Sequence, residues 1–263
     1  MKKKLVKILN KKFNRPITCL TAYSPAVAKL LDGNVDIVLI GDSLGSTLYG
    51  MQNARSVTLS MMKTHGLSVT NYIKKSITVI DMPYKTYTTK LQALKNASLL
   101  LKYTKAKILK LEINRRNLSI VEFLSNKSLN VIAHIGVTPQ SYVNFKKIRA
   151  VGKSKIEGDK LLKLALDAER AGACAILLEC VNQKIAKKIT SLVSIPTIGI
   201  GSSKYCDGQI LVFDDLINYN DEFHKPKFVK TYANFNQISK VAIKTFCKDV
   251  IKRKFPSKRY TYQ

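Results

Sequence analysis

Four short apolar runs in this 263-residue chain each close on an acid. Ile37-Val38-Leu39-Ile40 is followed by Gly41-Asp42-Ser43-Leu44-Gly45, Ile77-Thr78-Val79-Ile80 by Asp81, Ile108-Leu109-Lys110-Leu111 by Glu112, and Ala175-Ile176-Leu177-Leu178 by Glu179. A run of four β-prone residues suits a strand buried on both faces. The acid at its end then stands where the chain leaves the core. Like charges gathered at one place raise one another's pKa and need a counter-charge. A hard divalent cation such as Mg²⁺ supplies it, because carboxylate oxygens suit it and it keeps sites for water or substrate. Two aspartates with substrate and water make a typical Mg²⁺ arrangement, whereas the thiol and imidazole clusters of a zinc site are absent. Lys110 lies two residues before Glu112, hence on the same strand face, and is expected to point to the same place. His134 closes a fifth run at 130–135.

For the acids to converge, the strands must be parallel and neighbouring. The spacing predicts strands at 17–22, 37–40, 77–81, 108–112, 130–135, 173–179, 196–200 and 209–213. Helical patterns lie between them, at 24–33, 56–75, 89–103, 118–124, 158–172 and 182–193, with another at 235–255. Ser24-Pro25 reads as a helix start, the serine as cap and the proline in the first turn. Loops are expected from Gly45 to Arg55 and from Thr138 to Lys155. Eight strands alternating with helices predict a (β/α)₈ barrel, whose C-terminal mouth carries the chemistry. A doubly wound open sheet is the rival, but no GxGxxG follows the first strand. No shift of composition marks a linker, so 1–263 is read as one domain, with a basic N-terminal helix at 1–16 and a polar tail at 256–263.

The chain holds 45 Lys and Arg against 17 Asp and Glu, a net charge of +28. The charge is spread along the whole length, so no specific nucleic-acid site is expected; anionic substrates would still be attracted. No apolar run reaches the length of a membrane span. The start, Met1-Lys2-Lys3-Lys4, lacks the apolar stretch of a signal peptide. The five cysteines are odd in number without CxxC spacing, which predicts reduced and mostly buried thiols.

The segments Thr21-Ala22-Tyr23, Gly41-Asp42-Ser43-Leu44-Gly45, Asp81-Met82-Pro83, Lys110-Leu111-Glu112, His134-Ile135-Gly136-Val137-Thr138-Pro139-Gln140-Ser141, Leu178-Glu179-Cys180-Val181 and Ile195-Pro196-Thr197-Ile198-Gly199-Ile200-Gly201 come in a distinctive order. Together with Asp207-Gly208-Gln209 and Pro226-Lys227-Phe228, they resemble the ketopantoate hydroxymethyltransferase family from about residue 16 to 230. That resemblance implies a TIM barrel of the phosphoenolpyruvate/pyruvate type. It implies hydroxymethyl transfer from 5,10-methylenetetrahydrofolate to 2-oxoisovalerate (3-methyl-2-oxobutanoate) through a Mg²⁺-stabilised enolate. The product would be ketopantoate (2-dehydropantoate), in pantothenate and coenzyme A biosynthesis. It further implies a cytoplasmic homo-oligomer, by family habit a homodecamer, without membrane attachment.

Carried onto matching positions, the resemblance gives Asp42 and Asp81 to Mg²⁺, with Glu112 close by through water. Asp42, Ser43, Asp81 and Lys110 would bind the 2-oxo acid, His134 would line the site, and Glu179 would be the base. The chain departs from the family pattern at Ser24, where an Asp is usual, at Ile113-Asn114 in place of Gly-Gly, at Lys153 in place of Arg, and around 144–146, where glycines are missing. A C–C lyase on the same barrel is the competing enzyme reading, but the Lys-Lys-Cys-Gly-His-like loop of such lyases is absent.

Overall fold

The computed structural model describes residues 15–143, 149–219 and 226–262. Eight parallel strands close into a barrel in chain order: β1 (Ile17–Thr21), β2 (Ile37–Ile40), β3 (Ile77–Asp81), β4 (Ile108–Glu112), β5 (Val131–Gly136), β6 (Ala175–Glu179), β7 (Thr197–Ile200) and β8 (Gly208–Leu211), with β1 pairing β8 to seal it. The expected (β/α)₈ architecture is therefore present. The expected N-terminal helix at 1–16 falls almost wholly outside the described residues.

The strands are short because each alternates between two buried layers. One set of side chains, among them Ile37, Leu39, Ile77, Val79, Ile108, Ile132 and Leu177, fills the barrel interior. The intervening set, such as Val38, Ile40, Leu109 and Leu178, is buried outside the interior cluster. Helices α1 (Pro25–Leu31), α3 (Leu59–Thr70), α4 (Lys90–Thr104), α5 (Leu118–Asn126), α6 (Lys155–Arg170) and α7 (Gln183–Leu192) alternate with the strands. Their starts are marked by side chains that satisfy otherwise unpaired N–H groups. Ser24, Thr58, Thr89 and Ser154 accept from Val27, Met61, Gln92 and Glu157 respectively.

Several expected boundaries move, among them the helix expected at 56–75, which spans 59–70. The stretch 45–55, expected to be a loop, holds helix α2 (Leu44–Tyr49) and a 3₁₀ turn at Ala54–Ser56. A six-residue helix containing Gly45, Ser46 and Thr47 has too few turns to show a period, and Gly50 in the left-handed region ends it. Helix α6 starts at Lys155 rather than 158, because Ser154 caps it and Glu157 stands in its first turn, ahead of the leucine-rich stretch from Leu161. Glu157 Oε2 accepts from the N–H groups of Gly152 and Lys153. Strand β8 stops at Leu211, and α8 (Phe213–Leu216) takes up the residues expected to continue it.

The described residues from 213 on, read above as the end of one barrel domain, form one compact unit, and those up to 212 form another. The unit from 213 on holds α8 and α9 (Phe235–Ile251), the latter ending four residues before the expected 255. Tyr219 packs on Phe235, ring centroids 5.5 Å apart. All five cysteines are free; Cys19 and Cys206 are buried, Cys174 and Cys180 half-buried and Cys247 exposed. No helix among the described residues is long and apolar enough to cross a membrane.

Candidate active site

The interior layers of the barrel change character from floor to mouth. Val79, Ile108, Ile132 and Leu177 are apolar, and two residues further along their strands stand Asp81, Lys110, His134 and Glu179. Side chains two apart share a strand face, so the same alternation that fills the core also aims these groups inward. Strand register sets them side by side: Asp81 pairs with Lys110, and Glu112 with His134. Asp42 joins from the turn after β2, where its own N–H donates to Asp81 Oδ2 at 3.0 Å. Gly41 makes that approach possible, since a Cβ there would stand 2.9 Å from Ser43 Oγ and 3.6 Å from Asp81 Oδ2.

All the singled-out side chains thus meet in one layer. Asp42, Asp81, Lys110, Glu112 and His134 are buried, and Glu179 is only partly so. Lys110 Nζ lies 3.0 Å from Asp81 Oδ1 and 3.4 Å from His134 Nδ1. His134 Nε2 lies 3.2 Å from Glu179 Oε2, and its Nδ1 is 3.9 Å from Glu112 Oε1. Ser43 Oγ sits 2.7 Å from the Tyr23 hydroxyl at the first turn of α2.

The electrostatics are unbalanced. Four carboxylates share the layer with one ammonium. Burial pushes the Asp81 carboxyl up, and the Asp42 charge adds to it, while Lys110 opposes. Glu112 is raised well above the usual carboxylate range for the same two reasons, burial first and Asp42 second. Burial would discharge Lys110, yet Asp81, Asp42 and Glu112 hold it above its ordinary value, so it stays an ammonium. Burial and the Lys110 charge both lower His134, against the pull of Glu179, so the imidazole is neutral near pH 7.

A divalent cation fits this setting. The buried side-chain polar atoms without a directed hydrogen bond among the described residues are Asp81 Oδ1 and His134 Nε2, both in this layer. No set of three or more His, Cys, Asp or Glu side chains among the described residues is arranged around a common point. Two aspartates with water and substrate completing the shell is an arrangement that Mg²⁺ accepts. Glu112 stands further back, because both its oxygens accept from the Gln140 N–H at 3.1 and 3.0 Å.

Three neighbours of these groups carry no role in the sequence reading: Tyr23, Tyr87 and Gln140. Gln140 Nε2 donates to Asp42 Oδ2 at 2.7 Å, and Tyr87 donates to Gln140 Oε1 at 2.7 Å. Gln140 lies in the quoted segment His134–Ser141, but a lone glutamine in an expected loop gives no chemical signal. At the departure Ile113-Asn114, Asn117 Oδ1 accepts from Asn114 N–H, and Asn117 Nδ2 donates to the Glu112 carbonyl.

Residues 2–258 match the family model described as ketopantoate hydroxymethyltransferase. A protein of Pelagibacter ubique named 3-methyl-2-oxobutanoate hydroxymethyltransferase is 44% identical over 263 residues, 100% of both chains. One of the same name from Rhizobium rhizogenes is 42% identical over 253 residues, 96% of this chain and 92% of its own. Phosphonopyruvate hydrolase in complex with oxalate and Mg²⁺ superposes with a TM-score of 0.61 at 11% identity, over 98% of this chain and 89% of that one. The 2,3-dimethylmalate lyase, a PEP mutase/isocitrate lyase superfamily member, gives 0.60 at 12% identity, over 98% and 91%. Those two likenesses concern the fold alone, a TIM barrel. With the family match covering nearly its whole length and two full-length relatives of one name, this chain belongs to the ketopantoate hydroxymethyltransferase family of transferase enzymes.

Proposed function

We propose that this chain transfers a hydroxymethyl group from 5,10-methylenetetrahydrofolate to 2-oxoisovalerate, giving ketopantoate and tetrahydrofolate. The family membership supplies the reaction class. The observation that carries the reading is the pairing of Asp42 with Asp81 beside Lys110 in the barrel mouth, with Glu179 across His134 from it.

In this reading Asp42 and Asp81 hold Mg²⁺, with Glu112 behind them. Held there, the cation would supply a Lewis acid for the keto oxygen of the 2-oxo acid. Lys110 remains charged and, with Ser43, binds the acid. Glu179 is partly exposed at the mouth and takes the proton from C3. Its neighbour His134 is neutral, and Lys110 has only hydrogens to offer His134 Nδ1, so the ring proton sits on Nε2, towards Glu179. That proton steadies one carboxylate oxygen without neutralising the base. C3 then bonds to the folate methylene carbon as one of that carbon's two C–N bonds breaks and the freed nitrogen takes a proton; water replaces the second nitrogen, which leaves with a proton as tetrahydrofolate, and the hydroxymethyl group stays on C3. A fixed ammonium and a neutral imidazole suit the developing enolate better than the ketone, which is where a rate gain must arise.

The same reading places the protein in the cytoplasm as a homo-oligomer, a homodecamer by family habit, on the route to pantothenate and coenzyme A. It is tested with purified protein, 2-oxoisovalerate, methylenetetrahydrofolate and Mg²⁺. Ketopantoate is expected from wild type and its loss from Asp42→Ala. No ketopantoate from wild-type protein, with each component shown to be intact, overturns the proposal.

A further inference from the structure

Gln140 engages its backbone N–H and both ends of its side-chain amide. Its backbone N–H donates to both oxygens of Glu112, its Nε2 to Asp42 Oδ2 at 2.7 Å and to the Met82 carbonyl at 3.0 Å, and its Oε1 accepts from the Tyr87 hydroxyl at 2.7 Å. It is 4% exposed and sits on the 3₁₀ turn Pro139–Ser141 that follows β5. One residue therefore ties the ends of β2, β3 and β4 to the loop after β5.

The amide can face only one way. Turned over, Oε1 would oppose Asp42 Oδ2 and the Met82 carbonyl, two oxygens with no hydrogen to give, in a buried setting where unmade bonds are expensive. Tyr87 holds it against that turn. With Oδ2 engaged, Asp42 has no other hydrogen-bond donor among the described residues, so Oδ1 is the oxygen left to a ligand. A lysine or arginine in the place of Gln140 would draw Asp42 into an ion pair and compete with a cation, and a carboxylate would repel it. A neutral amide orients without doing either.

We propose that Gln140 is a positioning residue whose amide, locked by Tyr87, sets the rotamer of Asp42 so that Oδ1 is presented to a divalent cation. This rests on the reading of Asp42 and Asp81 as the cation's ligands. Gln140→Met keeps the length of the side chain and the backbone N–H on Glu112, and removes only the amide.

The test is Mn²⁺ binding by the metal-free protein, read from the paramagnetic resonance of the free ion, with no substrate present. Gln140→Met is expected to raise the Mn²⁺ dissociation constant on the order of tenfold, the scale on which groups supporting a metal ligand act. Tyr87→Phe is expected to raise it less, and to add nothing in the Gln140→Met background, because the two act through one amide. Unchanged affinity in Gln140→Met alongside weakened affinity in Asp42→Asn overturns the positioning role and leaves the cation reading standing. Wild-type affinity in Asp42→Asn overturns the cation reading, and the inference with it. Should Gln140→Met fail to fold by circular dichroism, Tyr87→Phe decides, and wild-type affinity there overturns the proposal.

Discussion

Lys110 and His134 divide the work of a buried polar layer. The lysine brings the positive charge that three buried acids require, and the histidine stays neutral because burial and that same charge oppose a second one. This has a consequence for stability. The unfolded chain's His134 takes up a proton near pH 6.5, while the folded one, with its lowered pKa, does not. Stability that is intact above that pH is therefore lost as the pH falls towards the folded value. Asp81 and Glu112, raised in the fold, act with the opposite sign: their protonation on acidification favours the folded state. Only a difference separates the two. The unfolding free energy of metal-free wild type minus that of His134→Asn is expected to decline between about pH 6.5 and 5. A flat difference across that range contradicts a neutral, buried His134.

At the scale of the element, the strand's period of two does most of the positioning. It made Asp81, Lys110, Glu112 and Glu179 legible in the sequence, because an acid or lysine an even number of residues along a strand from an interior valine, isoleucine or leucine must share its face. What sequence could not reveal lies where no period operates. Helix α2 is too short to repeat. Gln140 sits on a 3₁₀ turn and Tyr87 in a loop, and their hydrogen-bond partners are 25 to 98 positions apart in the chain. Gly136 shows how tightly strand ends are fitted. Its φ is +100°, and a Cβ there would stand 2.4 Å from the Glu179 carbonyl. Gly136→Ala is therefore expected to lower stability by at least about 1–3 kcal/mol from backbone strain alone, read from the denaturant midpoint, and to displace the end of β6 that carries Glu179. A variant of wild-type stability and activity would show that this turn has slack.

Over the whole molecule, a chain of net charge +28 keeps an acidic cluster in its mouth. The two features serve different ends. The spread of lysines predicts retention of RNA or DNA at low salt, with affinity falling steeply as counterions return and little left by about 0.2 M salt. A sequence preference that survives such salt would contradict the view that this binding is incidental. In the proposed function the mouth is instead a site for a cation and an anionic keto acid, and deprotonation at C3 is the step on which everything else depends. Its most direct measurement is proton exchange at C3 of 2-oxoisovalerate in D₂O, followed by NMR without folate. Exchange is expected to require Mg²⁺ and to slow by about 10²–10⁴-fold in Glu179→Gln, whose Mn²⁺ affinity stays at the wild-type level. Exchange that proceeds equally without the cation, or is untouched by Glu179→Gln, would contradict the account.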